Sequence, residues 1–216
     1  MAAMDISGTV RERAARELRD RILTGALRAG SRVDIDAITE EFATSRTPVR
    51  EALLELSFEG LVEVAPRSGI TVIGISPDDV LDSFTILGVL TGQAAAWAAE
   101  RIESEELEIL RKLEADVVAR SGDDSIGEAN WQFHQKIHRA AHSPRLMTQI
   151  KQVVRVVPRN FLTAFPEHEK DSLDEHQQLL DALTDKDIER ARAIAECHVL
   201  DAGRSLAEWL EQRRTA

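Results

Sequence analysis

The 216-residue sequence has no tyrosine and one cysteine, Cys197. A single cysteine excludes an intramolecular disulfide framework and suits a reducing compartment, where a small buried residue is its simplest role. Aromatic residues make up 4% of the chain, so the core must come from Leu, Ile, Val and Ala with three tryptophans. No run of apolar residues reads as long enough to span a membrane. The N-terminus carries charges early and lacks a signal-peptide core, so a cytoplasmic protein with no membrane partner is expected. Repeats and low-complexity stretches are absent. So are a His-Glu-x-x-His zincin motif, a phosphate-cradling loop and a nucleophile elbow. Lysine is missing before Lys112, so the positive charge of residues 1–75 is all arginine.

The segment Ser45-Arg-Thr-Pro-Val-Arg-Glu51 carries the most functional information. Ser45 can cap a helix with its hydroxyl, and Pro48 is tolerated only in a helix's first turn. The helix that starts here presents Arg46, Thr47 and Arg50, and the two arginines, four apart, share a face. Exposed guanidinium groups at a helix start suit the major groove of DNA, where Arg bonds guanine edges or phosphates. An ordinary solvated helix start has the same appearance, so context decides.

That context is helical and then extended. Val10, Ala14, Leu18 and Ile22 have helical spacing, and Gly25 and Gly30 follow as breaks. Ile35, Ile38 and Phe42 predict a short second helix with Asp34 or Asp36 near its start. Ala43-Thr44 leaves room only for a turn. Leu61–Val64 and Ile70–Ile73 are strand candidates around the turn Pro66-Arg-Ser-Gly69. Three helices and a hairpin make a winged helix-turn-helix, with Arg67 at the wing tip, where it can reach the minor groove or a phosphate.

The formal net charge of −11 is unusual for a DNA binder. Residues 1–75 hold 10 Arg against 12 Asp or Glu, and residues 76–216 hold 17 basic against 26 acidic side chains. The acid excess therefore lies in the second half, where it repels non-specific DNA. Arginine's planar fork favours directed contacts over diffuse attraction. We expect a domain boundary at 75/76, because Ser76-Pro77-Asp78-Asp79 reads as N-cap, first-turn proline and acidic first turn. From there helices are predicted over 77–101, 104–120, 124–141, 144–165, 172–184 and 187–213, with Pro158 kinking the fourth. The fold class is mainly α: an N-terminal winged helix-turn-helix, then an all-α helical bundle.

Six histidines all fall in the second half. His134 lies with Ile137 and Ala141, His176 between Leu173 and Leu180, and His198 on the stripe Ile188, Ala191, Ala195, Ala202, Leu206. Three core-facing imidazoles from three helices can converge on one cavity, and neutral imidazole is the commonest protein ligand for divalent transition metals. Asn130, one turn before His134, can add an amide oxygen. Hydrogen-bonded packing histidines fit the same pattern. His138 and His142 continue the spacing of His134 on another, partly solvated face and form a competing set. His168, in the polar stretch Pro166–Lys170, is expected to be exposed.

The stretch from Val33 to Val72 resembles the DNA-binding domain of the GntR family of bacterial transcription regulators. Ser45–Leu53, Glu59-Gly-Leu-Val62 and Arg67-Ser-Gly69 carry the likeness. It implies that Arg46, Thr47, Arg50 and the wing Arg67, Ser68 and Gly69 contact double-stranded operator DNA. Asp36 stands where many members carry an arginine, and Ala43 replaces the usual turn glycine. The second half resembles the FCD ligand-binding domain of the FadR subgroup. The matching segments are Asn130-Trp-Gln-Phe-His134, Glu175-His176 and Cys197-His198. The resemblance implies a metal held by Asn130, His134, His176 and His198. A neutral Asn oxygen in place of an acid weakens the site. Three imidazoles with one oxygen lean towards zinc or nickel, and manganese also fits.

Many FCD proteins grip an effector carboxylate with an arginine on the first helix of this domain. Leu87 stands at that position, and Thr91 where a glutamate is usual. Arg155 and Arg159 are the substitute effector-binding candidates, and the metal itself can hold an organic acid through open coordination positions. The resulting expectation is a ligand-responsive regulator that binds a palindrome as a homodimer, since one small winged helix reads too few base pairs alone. The alternative is a metal-dependent enzyme using the His134, His176 and His198 cluster.

Overall fold

Residues 8–65, 69–158 and 161–215 are described in a computed structural model. Helix α1 (Val10–Leu23) opens with a capping box: the Glu12 amide donates to the Thr9 hydroxyl at 3.2 Å, and the Thr9 amide donates to the Glu12 carboxylate at 2.8 Å. Helix α2 (Ile35–Glu41) is capped by Asp34, whose carboxylate accepts from the amides of Asp36 and Ala37, both at 3.0 Å. The turn into α3 (Arg46–Phe58) places Ala43 in the left-handed region at φ 47°, a conformation that costs a residue with a Cβ roughly 1–2 kcal/mol. Ser45 occupies the N-cap of α3 with extended backbone, but its hydroxyl makes no capping hydrogen bond, contrary to expectation.

Strands β1 (Val62–Ala65) and β2 (Gly69–Val72) form the antiparallel hairpin, with Val62 opposite Val72 and Ala65 opposite Gly69. Both are shifted by one residue from the expected spans. The preceding loop adds a third rung: the amide of Val33 donates to the carbonyl of Ile70, and that of Val72 to Ser31. The side chains of Val62, Ile70 and Val72 face a core with Leu18, Val49 and Leu53. Arg19, only 6% exposed, forks onto Glu59 at 2.6 and 2.7 Å and ties α1 to the end of α3. These elements make up one compact unit, Met1–Ser76.

In the second unit, Pro77–Ala216, the regular elements among the described residues are all helical. Its helices are α4 (Pro77–Arg101), α5 (Ser104–Ala119), α6 (Ile126–Ala140), α7 (Pro144–Val153), α8 (Phe161–Ala164), α9 (Pro166–Thr184) and α10 (Ile188–Thr215). Helix α4, by length and composition, does reach what a membrane span needs, which corrects the sequence-based expectation. Half of its most apolar window is buried within this unit, as befits a bundle's central helix. Glycines let α10 approach it closely: a Cβ on Gly92 would stand 3.1 Å from the Arg192 carbonyl, and one on Gly203 2.5 Å from Phe84 Cβ.

The predicted helix over 144–165 is broken, not kinked. After α7 a 3-10 turn covers Val154–Val156, and Val157 is extended at φ −83°, ψ 115°. Pro158 disfavours helical backbone at the residue before it, and α8 starts afresh beyond. Conversely, α9 begins six residues before the predicted 172. Pro166 sits in its first turn with Glu167 and Glu169, which suit the positive end of the helix dipole.

Candidate metal centre and nucleic-acid interface

Phe133 and Ile137 bury one side of α6, which carries Asn130 and His134 inward at neighbouring positions. Helix α9 supplies His176, 1% exposed between Leu179 and Ser172, and α10 supplies His198 at 8%. Their ligand nitrogens all lie within 4.8 Å of one another. The Nε2 atoms of His134 and His176 are 3.1 Å apart. Two ligands of a tetrahedral ion with bonds of 2.0–2.1 Å sit about 3.3–3.4 Å apart, so this spacing is close to what a zinc-sized ion needs.

Two carboxylates stand behind the rings. His176 Nδ1 is 3.0 Å from Glu114 Oε2, and His198 Nδ1 is 2.7 Å from Glu175 Oε2. A proton on Nδ1 donated to the carboxylate leaves the Nε2 lone pair facing inward, the arrangement that orients metal-binding imidazoles. Burial holds His134 and His176 well below the ordinary imidazole range, and neighbouring imidazoles (His176 and His198 for His134, His198 for His176) add to this, so both rings are neutral at pH 7. Burial pushes the Glu114 carboxyl up to about 7. Burial also works to raise Glu175, but the hydrogen bond and charge of His198 bring it below its usual value.

Asn130 tests the fit of a metal. Its Oδ1 is buried and has no hydrogen-bond partner among the described residues. An orphaned carbonyl oxygen in such a place costs about 1–3 kcal/mol unless something uses its lone pairs. Three inward imidazoles and one unused oxygen are a donor set for a divalent cation of borderline softness. Glu114 and Glu175 were not singled out from sequence. Glu114 lies one turn from buried Leu110 and Val117 on the apolar face of α5, and an acid there demands a partner. Glu175 carries only its adjacency to His176 as a signal.

A cavity of about 100 Å³ opens against Asn130, His134 and His198. His138 and His168 also line it, which corrects both expectations: His138 is buried at 8% exposure, and His168 is half-buried on α9, edge-on to Phe161 at 5.3 Å. Burial pushes His138 down to about 4. His142 remains outside, exposed and 3.0 Å from Glu106. Leu87 and Thr91 line the cavity from α4. Arg155 is exposed and is not among the lining residues, although Val154 and Val157 beside it are. Arg159 lies outside the described residues.

On the first unit, Arg46, Thr47 and Arg50 are exposed at the start of α3. Arg46 Nη2 is held between the two carboxylate oxygens of Asp36, at 2.7 and 2.8 Å. Asp36 therefore does more than leave out a cation: it occupies one of the two helix-start arginines. Arg50 makes no ion pair among the described residues. Gly69 begins β2 at φ 90°, where a side chain would be strained, and Arg67 and Ser68 lie outside the described residues.

The model of a family described as "Bacterial regulatory proteins, gntR family" matches residues 10–72, and that of the "FCD domain" matches residues 82–201. The HTH-type transcriptional regulator McbR of Escherichia coli (strain K12) is 30% identical over 185 residues, 82% of this chain and 83% of that protein. The galactonate operon transcriptional repressor of the same organism is 26% identical over 215 residues, 88% of this chain and 94% of the repressor. A solved structure of E. coli McbR/YncC superposes with a TM-score of 0.71 at 25% identity, covering 96% of this chain and 99% of that one.

Proposed function

The chain belongs to the gntR family of bacterial regulatory proteins and carries an FCD domain, and from that premise we propose how this transcription regulator reads DNA and senses its effector. The winged unit binds a palindromic operator as one half of a homodimer. Arg46 and Arg50 reach base edges or phosphates from the start of α3. Thr47 and the wing residues Arg67, Ser68 and Gly69 complete the contact. The helical unit holds a divalent metal, zinc or nickel before manganese, through His134, His176, His198 and Asn130. A bound ion of this kind supplies open positions to the carboxylate of a small organic acid. The effector acts by binding one of two conformations more tightly, and DNA affinity follows by linkage. Repression is the favoured output, since relatives are named as repressors.

The observation that carries the sensing half is the unpartnered Asn130 Oδ1 beside three imidazoles whose ligand nitrogens lie within 4.8 Å of one another. The test is metal analysis of purified protein, before and after reconstitution, together with a gel shift on the promoter of its own gene. One metal per chain and sequence-specific binding that resists competitor DNA are expected. No metal after reconstitution would return the histidines to packing. Metal-dependent turnover without specific DNA binding would replace the regulator reading with a metalloenzyme.

A further inference from the structure

Arg11, Arg19, Arg21 and Arg46 of the first unit are each tied to a carboxylate. The first three pairs brace the fold. Arg11 joins α1 to Glu55 of α3, Arg19 joins it to Glu59 at the end of α3, and Arg21 joins it to Glu41 of α2. The fourth pair is different. Asp36 and Arg46 face each other across the turn from α2 to α3, and their side chains are 66% and 67% exposed. An exposed pair of this kind adds little to stability. Its consequence lies in what Arg46 is left free to do.

Asp36 engages a single nitrogen, Nη2, from both of its oxygens. That nitrogen carries two hydrogens, so one can serve Asp36 while the other, with Nη1, forks onto O6 and N7 of one guanine. A phosphate could take the same fork, but it brings its own negative charge. It would stand about 5–7 Å from the Asp36 carboxylate, where two like charges in a water-like medium oppose binding by about threefold. A guanine edge offers acceptors and no net charge, so it meets no such opposition. We infer that Asp36 is a specificity-determining residue of the DNA interface, which turns Arg46 from a general phosphate contact into a reader of a guanine edge. This rests on the DNA-reading role of Arg46 proposed above and goes beyond it. It also gives the acidic balance of residues 1–75, 10 Arg against 12 Asp or Glu, a use: phosphate attraction is kept low so that directed contacts decide where the protein sits.

The test starts by selecting the preferred duplex of the full chain from a randomised DNA library. Anisotropy titrations follow on that duplex, on its single-base variants and on random duplex, from about 50 to about 200 mM salt. Arg46→Ala should erase the preference for one guanine. Asp36→Ala and Asp36→Asn should weaken the preference for that same guanine about two- to threefold. Both should raise affinity for random duplex about three- to fivefold and for the selected duplex only about 1.5-fold. The salt slope on random duplex should steepen by about 0.9, the value of one further phosphate contact, and stay unchanged on the selected duplex. The asparagine variant keeps the shape of the side chain and guards against a local loss of helix α2. If Arg46→Ala alters no base preference, the reading role of Arg46 falls and this inference with it. If Arg46→Ala erases a guanine preference that both Asp36 variants keep in full, with the parent's salt slope, this inference alone is overturned. An equal rise on both duplexes overturns it too. Parent-like behaviour of Asp36→Asn beside a changed Asp36→Ala overturns charge repulsion as the cause.

Discussion

Replacing Asn130 by leucine separates a metal ligand from a packing residue, because the two roles predict opposite signs. The Oδ1 atom is buried without a partner among the described residues. Without metal it costs about 1–3 kcal/mol, and Asn130→Leu, close to isosteric, removes that cost. The chelator-treated variant should therefore be as stable as the chelator-treated parent or more so. A domain of this size gains roughly 2–4 °C in Tm per kcal/mol, so the gain is a few degrees. Metal reverses the order. A ligand that binds only the folded state stabilises it by about 2.7 kcal/mol at a hundredfold excess over Kd. Losing one of four donors, with a tenfold or greater drop in affinity, removes about 1.4 kcal/mol or more of that gain. Differential scanning calorimetry in chelator and in excess zinc reads both. The parent should gain about 5–11 °C with zinc and the variant distinctly less. Equal losses by the variant in both conditions would refute the reasoning and return Asn130 to packing.

Three further outcomes follow from named contacts. Arg46→Ala and Arg50→Ala should each lower operator affinity about 10- to 100-fold while the thermal transition stays in place, since a good arginine–guanine pair is worth about 1–3 kcal/mol; wild-type gel shifts from both would remove α3 from the reading role. Asp36→Ala should raise affinity for operator and for random DNA by about 1.5- to 5-fold, because it releases Arg46 from an exposed pair worth about 0.2–1 kcal/mol; unchanged or weaker binding in a salt titration would count against competition between Asp36 and DNA. His138, held at about 4 when folded against 6.5 when unfolded, contributes stability that is complete above pH 6.5 and is lost as pH falls towards 4. The loss is about 3 kcal/mol, and His138→Gln should flatten that part of a urea-denaturation profile.

The architecture was legible because local signals agreed. Pro48 after Ser45, Pro77 before two acids, and glycines after periodic apolar runs mark ends that the structure places within a residue or two. The exceptions are physical. Pro158 predicts a kink, yet its constraint on Val157, which is extended, ends the helix there. The polar stretch Pro166-Glu-His-Glu-Lys170 predicts a loop, whereas a first-turn proline and acids favour the helix start found there. At the site, core-facing histidines were visible by their stripes, but His138 and His168 were not. Their burial depends on which neighbours cover a face, and a single sequence does not carry that. Glu114 shows the converse: an acid among Leu110 and Val117 is a sequence anomaly whose explanation, His176, lies 62 residues away.

Helix α4 is the first element of the second unit and lines its cavity. Its first residue, Pro77, follows the end of β2 by five positions, and two to four turns later Phe84, Leu87 and Thr91 face the cavity. Any ligand that fills the cavity presses on this helix as well as on α6, α9 and α10. The helix has little freedom to deform, because Gly88 and Gly92 bring it against the backbone of α10, and Gly203 of α10 receives Phe84 with no room for a Cβ. Such close packing favours discrete arrangements over gradual bending. An effector that prefers one arrangement biases α4 as a unit, and any effect on DNA is the linkage proposed above. The coupling can be no larger than the effector's differential affinity for the two arrangements, so a ligand that fits both equally would bind and yet leave DNA affinity unchanged.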